Sequence, residues 1–113
     1  MNISDLATRP ELQQLTLDSE AIVEAYGEPI TFWMRDHLDL ATYFDFYKFQ
    51  KESSGEQLMS TLRKIVLTAE GKPAIPDDCI LPVDVTLEIM VKINDNLGKS
   101  KTRLSKKEVG TQP

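Results

Sequence analysis

Hydrophobic residues recur at helical spacing between Ser54 and Ala69, where Leu58, Met59, Leu62, Ile65, Val66 and Ala69 share one face of a 3.6-residue period. Ser53 or Ser54 stands at the N-cap position, and Glu56 or Gln57 three residues on would complete a capping box. Gly71 followed by Pro73 supplies the stop, so the pattern predicts a helix over about 54–69. An aromatic segment precedes it, from about Asp39 to Gln50. Leu40, Tyr43, Phe44 and Tyr47 form one stripe there, and Phe46 and Phe49 lie on an adjoining face. Asp39, or Asp36 one turn earlier, can accept the first free backbone N–H groups. A helix apolar over so broad an arc either sits in a core between layers or presents a docking face.

The segment from Pro82 to Leu97 supports two patterns. Val83, Val85, Leu87, Ile89, Val91 and Ile93 alternate as in a strand, yet Asp84, Glu88, Lys92 and Asp95 line one helical face. Pro82 suits the first helical position and Gly98 the residue after the last. An alternating strand of this length would need a partner that the chain hardly offers, so a helix is predicted. Nearer the N-terminus, Leu15 and Leu17, and then Ile30, Phe32 and Met34, alternate with polar residues. Both pieces suit a small antiparallel ribbon, and Asp18-Ser19 caps a short helix ending at Gly27 between them. The expected fold is mainly α: a small bundle of three to four helices with at most a short two-stranded N-terminal β element. Residues 1–98 form a single helical domain in this scheme, followed by a basic, disordered tail over 99–113.

Charge sharpens that division. The chain of 113 residues carries 13 Lys and Arg against 18 Asp and Glu, for a net charge of −5. Residues 1–98 hold 8 of those bases and 17 of the acids, whereas residues 99–113 hold 5 bases and one acid, Glu108. An acidic body argues against nucleic acid as the main partner, because neutralising phosphate takes a basic face. No apolar run approaches the roughly 20 residues of a membrane span. The opening residues Met1 to Leu6 lack the basic start and apolar stretch of a secretory signal, which points to an intracellular protein.

Candidate chemistry is sparse. Cys79 is the single cysteine and His37 the single histidine, so no intramolecular disulfide and no zinc site of Cys and His alone can form. Cys79 follows Asp77 and Asp78, whose charge would raise a thiol pKa and weaken it as a nucleophile. The two aspartates lack the spacing of a calcium loop. Gly98-Lys99-Ser100 lacks the upstream glycine of a phosphate-binding loop. These residues predict neither catalytic residues, nor a cofactor, nor a metal. What the chain has in quantity is apolar helical surface, and excess apolar surface signals self-association or a helical partner. Five of its eight aromatic residues fall within positions 43–49. Tyr43, Phe46, Tyr47 and Phe49 of the aromatic helix, with Leu87, Met90 and Val91 of the last helix, are the candidate partner-binding or self-association residues.

Several stretches resemble the tail assembly chaperones of long-tailed, siphovirus-type bacteriophages. They are Leu15-Thr16-Leu17, Tyr26-Gly27-Glu28-Pro29-Ile30-Thr31-Phe32-Trp33, the aromatic helix after Leu38-Asp39, Leu67-Thr68-Ala69-Glu70-Gly71-Lys72-Pro73, and Leu81-Pro82-Val83-Asp84-Val85. Together they span about residues 13–98 and share a layout more than a sharp motif. The resemblance implies a non-enzymatic protein of the host cell cytoplasm, absent from the mature virion. Such a protein keeps the long tape measure protein soluble, assists recruitment of the major tail tube protein, and self-associates as a homo-oligomer. Many members also occur in a longer form made by ribosomal frameshifting; Gly and Lys, as in Gly98-Lys99, can be encoded by GGN and AAA or AAG, and the gene sequence would show whether such a slippery run is there. The alternatives are a small helical structural or adaptor protein of the phage head–tail junction or tail, and a regulator acting on DNA.

Overall fold

A computed structural model describes the backbone of residues 1–109 and the side chains of residues 1–98. The fold is mainly helical; among the described residues there are four α-helices, about half of the chain, and one two-stranded antiparallel sheet. A 3-10 turn at Ile3–Asp5 is followed by β1 (Leu12–Leu17), α1 (Glu20–Tyr26), β2 (Ile30–Arg35), α2 (Leu40–Lys51), α3 (Gly55–Ile65) and α4 (Val83–Val109). The chain divides into two compact units. One comprises Met1–Thr16 with Thr31–Ile80, and the other Leu17–Ile30 with the segment from Leu81 onward.

In the first unit, α2 and α3 pack against each other as a helical hairpin. The side chain of Asp39 caps α2 by accepting from the Thr42 backbone N–H at 3.2 Å and from the Thr42 hydroxyl at 2.7 Å. Those bonds satisfy donors that a helix start leaves open, which is why α2 begins where the sequence places it. The hydroxyl first, and then the N–H, hold the Asp39 carboxyl below the usual carboxylate range. Phe32, Met34, Phe46, Leu62, Ile65, Val66, Leu67 and Ile75 are the buried apolar residues of this unit.

Two details of α3 differ from expectation. Ser54 sits at its N-cap but makes no capping bond to the backbone; its hydroxyl donates to the Gln57 side chain instead. The φ and ψ of Ser54, −87° and 87°, depart from the extended geometry that aims a cap oxygen at the helix N–H groups. The helix also ends at Ile65, short of the expected 69, because Val66 turns extended. Leu67 then exchanges backbone hydrogen bonds with Trp33, at 3.0 and 2.7 Å. This covers part of the edge of β2 that β1 leaves open, and an unpaired strand edge is the costlier alternative. The chain doubles back through Thr68–Lys72, where Gly71 adopts a φ of +81°. Gly71 therefore serves this tight turn and does not terminate a helix.

The second unit joins α1 and α4. Ser19 caps α1 by accepting from the Ile22 N–H, and Gly27 at φ +83° ends it, as the sequence predicts. The Ser19 hydroxyl also donates to Glu88 of α4 at 3.3 Å. The Tyr26 hydroxyl donates to both carboxylate oxygens of Asp84, at 2.9 and 3.1 Å, and Asp18 pairs with Lys92 at 3.8 Å. Leu17, Ile22, Val85, Ile89 and Ile93 are its buried apolar residues. Helix wins over strand for the alternating segment, because residues four apart (85, 89, 93) bury together while their neighbours at 83, 87 and 91 stay exposed. The helix continues through Gly98, which was expected to end it. The expected tail over 99–113 lies outside the described side chains, and its last four residues lie outside the described backbone. No described helix is long and apolar enough to cross a membrane.

Candidate partner-binding surfaces

Exposed apolar side chains on α2 and α4 are the features of this molecule that invite a partner. On α2, Leu40, Phe44 and Tyr47 follow one another at i, i+4 and i+7 and therefore share a face. Phe44 keeps 57% of its surface exposed and Tyr47 keeps 58%. The ring of Tyr43 meets Phe44 edge-on, with centroids 5.8 Å apart, and Tyr43 itself is half-buried. Lys51 reaches over the Tyr47 ring, its ammonium 5.9 Å from the centroid, and Lys48 lies 5.7 Å from that of Phe49. Cations so placed rim the aromatic face and would favour carboxylates at the edge of whatever docks there.

The other expected α2 residues divide by burial. Phe46 is 1% exposed and belongs to the core of the first unit, so it offers a partner no surface. Phe49 is half-buried. Because α2 carries aromatic residues on more than one face, its sequence alone does not reveal which side faces in. Leu40 and Phe44, absent from the expected binding set, are exposed members of the face. Their i, i+4 relation to each other, continued by Tyr47, was the available signal.

On α4, Leu87 and Val91 are exposed and Met90 is half-buried. Val83, one turn before Leu87, was not expected to contribute but is exposed on the same face. Ile80, in the loop before α4, is exposed as well.

A cavity of about 440 Å³ in the first unit has a different character. Pro10, Ile65, Leu67 and Pro73 contribute its apolar lining, and Arg35, His37 and Lys64 bring positive or protonatable groups. Its one carboxylate, Asp39, is held by Thr42 as the α2 cap. Among the described residues, no group of three or more His, Cys, Asp or Glu is placed to hold a metal ion. Cys79 is exposed, within reach of the Asp78 carboxylate at 3.6 Å. Comparison with protein-family models, with curated proteins and with solved structures finds no match to this chain.

Proposed function

We propose that this chain is a tail assembly chaperone of a long-tailed bacteriophage. It holds the tape measure protein soluble and assists assembly of the tail tube around it, without catalysing a reaction. It acts in the host cell cytoplasm and is left out of the finished virion. The observation that carries this reading is the exposed Leu40–Phe44–Tyr47 face of α2, joined to the sequence resemblance over residues 13–98.

A client rich in amphipathic helices aggregates through its apolar stripes, and a holdase must cover such a stripe without retaining it. Apolar burial contributes about 25 cal/mol per Å² before ordering costs, so a face of three or four large side chains gives weak, reversible contact. The net charge of −5 favours contact with basic client segments.

The test is co-expression with the tape measure protein encoded by the same genome. Wild-type chain should keep that client in the soluble fraction, and a Phe44→Asp, Tyr47→Asp variant that retains its circular dichroism spectrum should not. A client equally insoluble with and without the wild-type chain, or equally soluble with the folded variant, would refute the reading.

A further inference from the structure

The cavity of about 440 Å³ in the first unit falls within the range of small-molecule sites, roughly 300–1,000 Å³. Its lining comes from stretches far apart in sequence, among them the end of β2, the link into α2, the last turn of α3 and the turn at Gly71. Ile65 and Leu67, both buried, give it an apolar lining. Arg35, His37 and Lys64 are exposed there, and none of their side chains makes a hydrogen bond or ion pair among the described residues. Arg35 Nη2 lies beside the Gly71 turn, where a Cβ on that glycine would stand 3.4 Å from it. Three nitrogen-bearing side chains from separate segments thus share one apolar-lined hollow with no partner of their own.

Charge narrows what such a hollow takes. Arg35 and Lys64 bring two positive charges and Asp39 one negative, so with neutral His37 the lining has a net of +1, in a chain whose net is −5. The Asp39 carboxylate accepts from Thr42 and is attracted by Lys64 through space. A dianion such as phosphate meets twice the repulsion from Asp39 that a monoanion meets, whereas a monoanion balances the lining. A guanidinium fork matches a carboxylate through two parallel N–H bonds, and burial against the apolar lining favours an apolar body behind that carboxylate. We propose that this cavity binds a monoanionic carboxylate carried on a compact apolar body, with Arg35 as its principal partner and Lys64 and His37 beside it. A free organic acid and the C-terminus of a peptide ending in an apolar residue share that chemistry. The site stands whether or not the chain is a chaperone, since Leu40, Phe44 and Tyr47 do not line it.

Titration of the full chain at constant ionic strength, followed by amide NMR, tests this with two probes. Hexanoate represents the free acid, and an acetylated tripeptide ending in leucine represents the chain terminus. At least one of them should shift the Arg35, Leu38, Lys64 and Gly71 amides saturably, and the one that does so identifies the source. Hexanamide, the amidated tripeptide and inorganic phosphate should bind at least about tenfold more weakly than the acid that binds. Arg35→Gln should weaken that acid at least about tenfold while amides remote from the cavity keep their positions. Lys64→Gln, expected to weaken it about threefold, provides a second variant should Arg35→Gln disturb the fold. No saturable shift with either acid, neutral amides that bind as well as the acids, phosphate that binds better, or an affinity indifferent to both variants would overturn the proposal.

Discussion

Phe44 and Phe46 sit two residues apart on α2, and replacing each by Ala separates the core side of that helix from its exposed side. Phe46 is 1% exposed, so Phe46→Ala leaves a cavity as well as losing transfer free energy. Substitutions of this class cost about 3–5 kcal/mol, a large part of the roughly 5–15 kcal/mol by which domains are stable. Phe44 is 57% exposed, so it buries about two fifths of its surface. With full burial of such a side chain worth about 1.5–3 kcal/mol, its loss costs about 0.6–1.2 kcal/mol. The better helix propensity of Ala returns roughly half a kcal/mol. The expected difference between the two variants is therefore about 2.5 kcal/mol or more. Urea unfolding followed by far-ultraviolet circular dichroism measures it, with the slope of the transition checked for constancy. A Phe46→Ala variant losing under 1 kcal/mol, or a Phe44→Ala variant losing as much as Phe46→Ala, would refute the assignment of faces on α2.

Gly71→Ala should destabilise by about 1–2 kcal/mol in the same titration, because Gly71 holds a φ of +81° that an L side chain adopts only with strain. The added Cβ would stand 3.4 Å from the side-chain ends of Arg35 (Nη2) and Leu12 (Cδ1), a contact those flexible ends can accommodate, so the backbone conformation sets the cost. Ser19→Ala should cost about 1 kcal/mol through loss of the α1 cap, and Ser19→Gly only a few tenths. Thermal unfolding of the two variants side by side checks that order. The hydrogen bond to Asp84 raises the Tyr26 pKa above the usual phenol range, so its contribution to stability is fully present below that range and fades as pH rises through the raised value. Asp39, lowered by Thr42, contributes above the usual carboxylate range and loses that contribution as pH falls through its depressed value. Tyr26→Phe should lessen the alkaline loss of stability and Asp39→Asn the acid one, as read from denaturation midpoints across pH.

Several elements were legible from local signals. Ser19 and Gly27 bracket α1, Asp39 opens α2, and the alternation of Ile30, Phe32 and Met34 marks a strand that buries Phe32 and Met34. These signals are local, since a cap bonds within three residues and a pleat repeats every two. The end of α3 was not legible. Val66 and Leu67 continue the helical period, but the open edge of β2, more than thirty residues earlier in the chain, takes the Leu67 backbone out of the helix. The side of α2 that faces inward was settled by tertiary packing too. A helix with aromatic residues on more than one face carries little internal record of orientation, and its packing against α3 accompanies the placing of Phe46 in the core and Phe44 at the surface. In α4 the same sequence satisfied a strand pattern and two helical stripes. Periodicity counts how often apolar residues return, and only the arrival of neighbours from elsewhere in the chain decides which of them are covered.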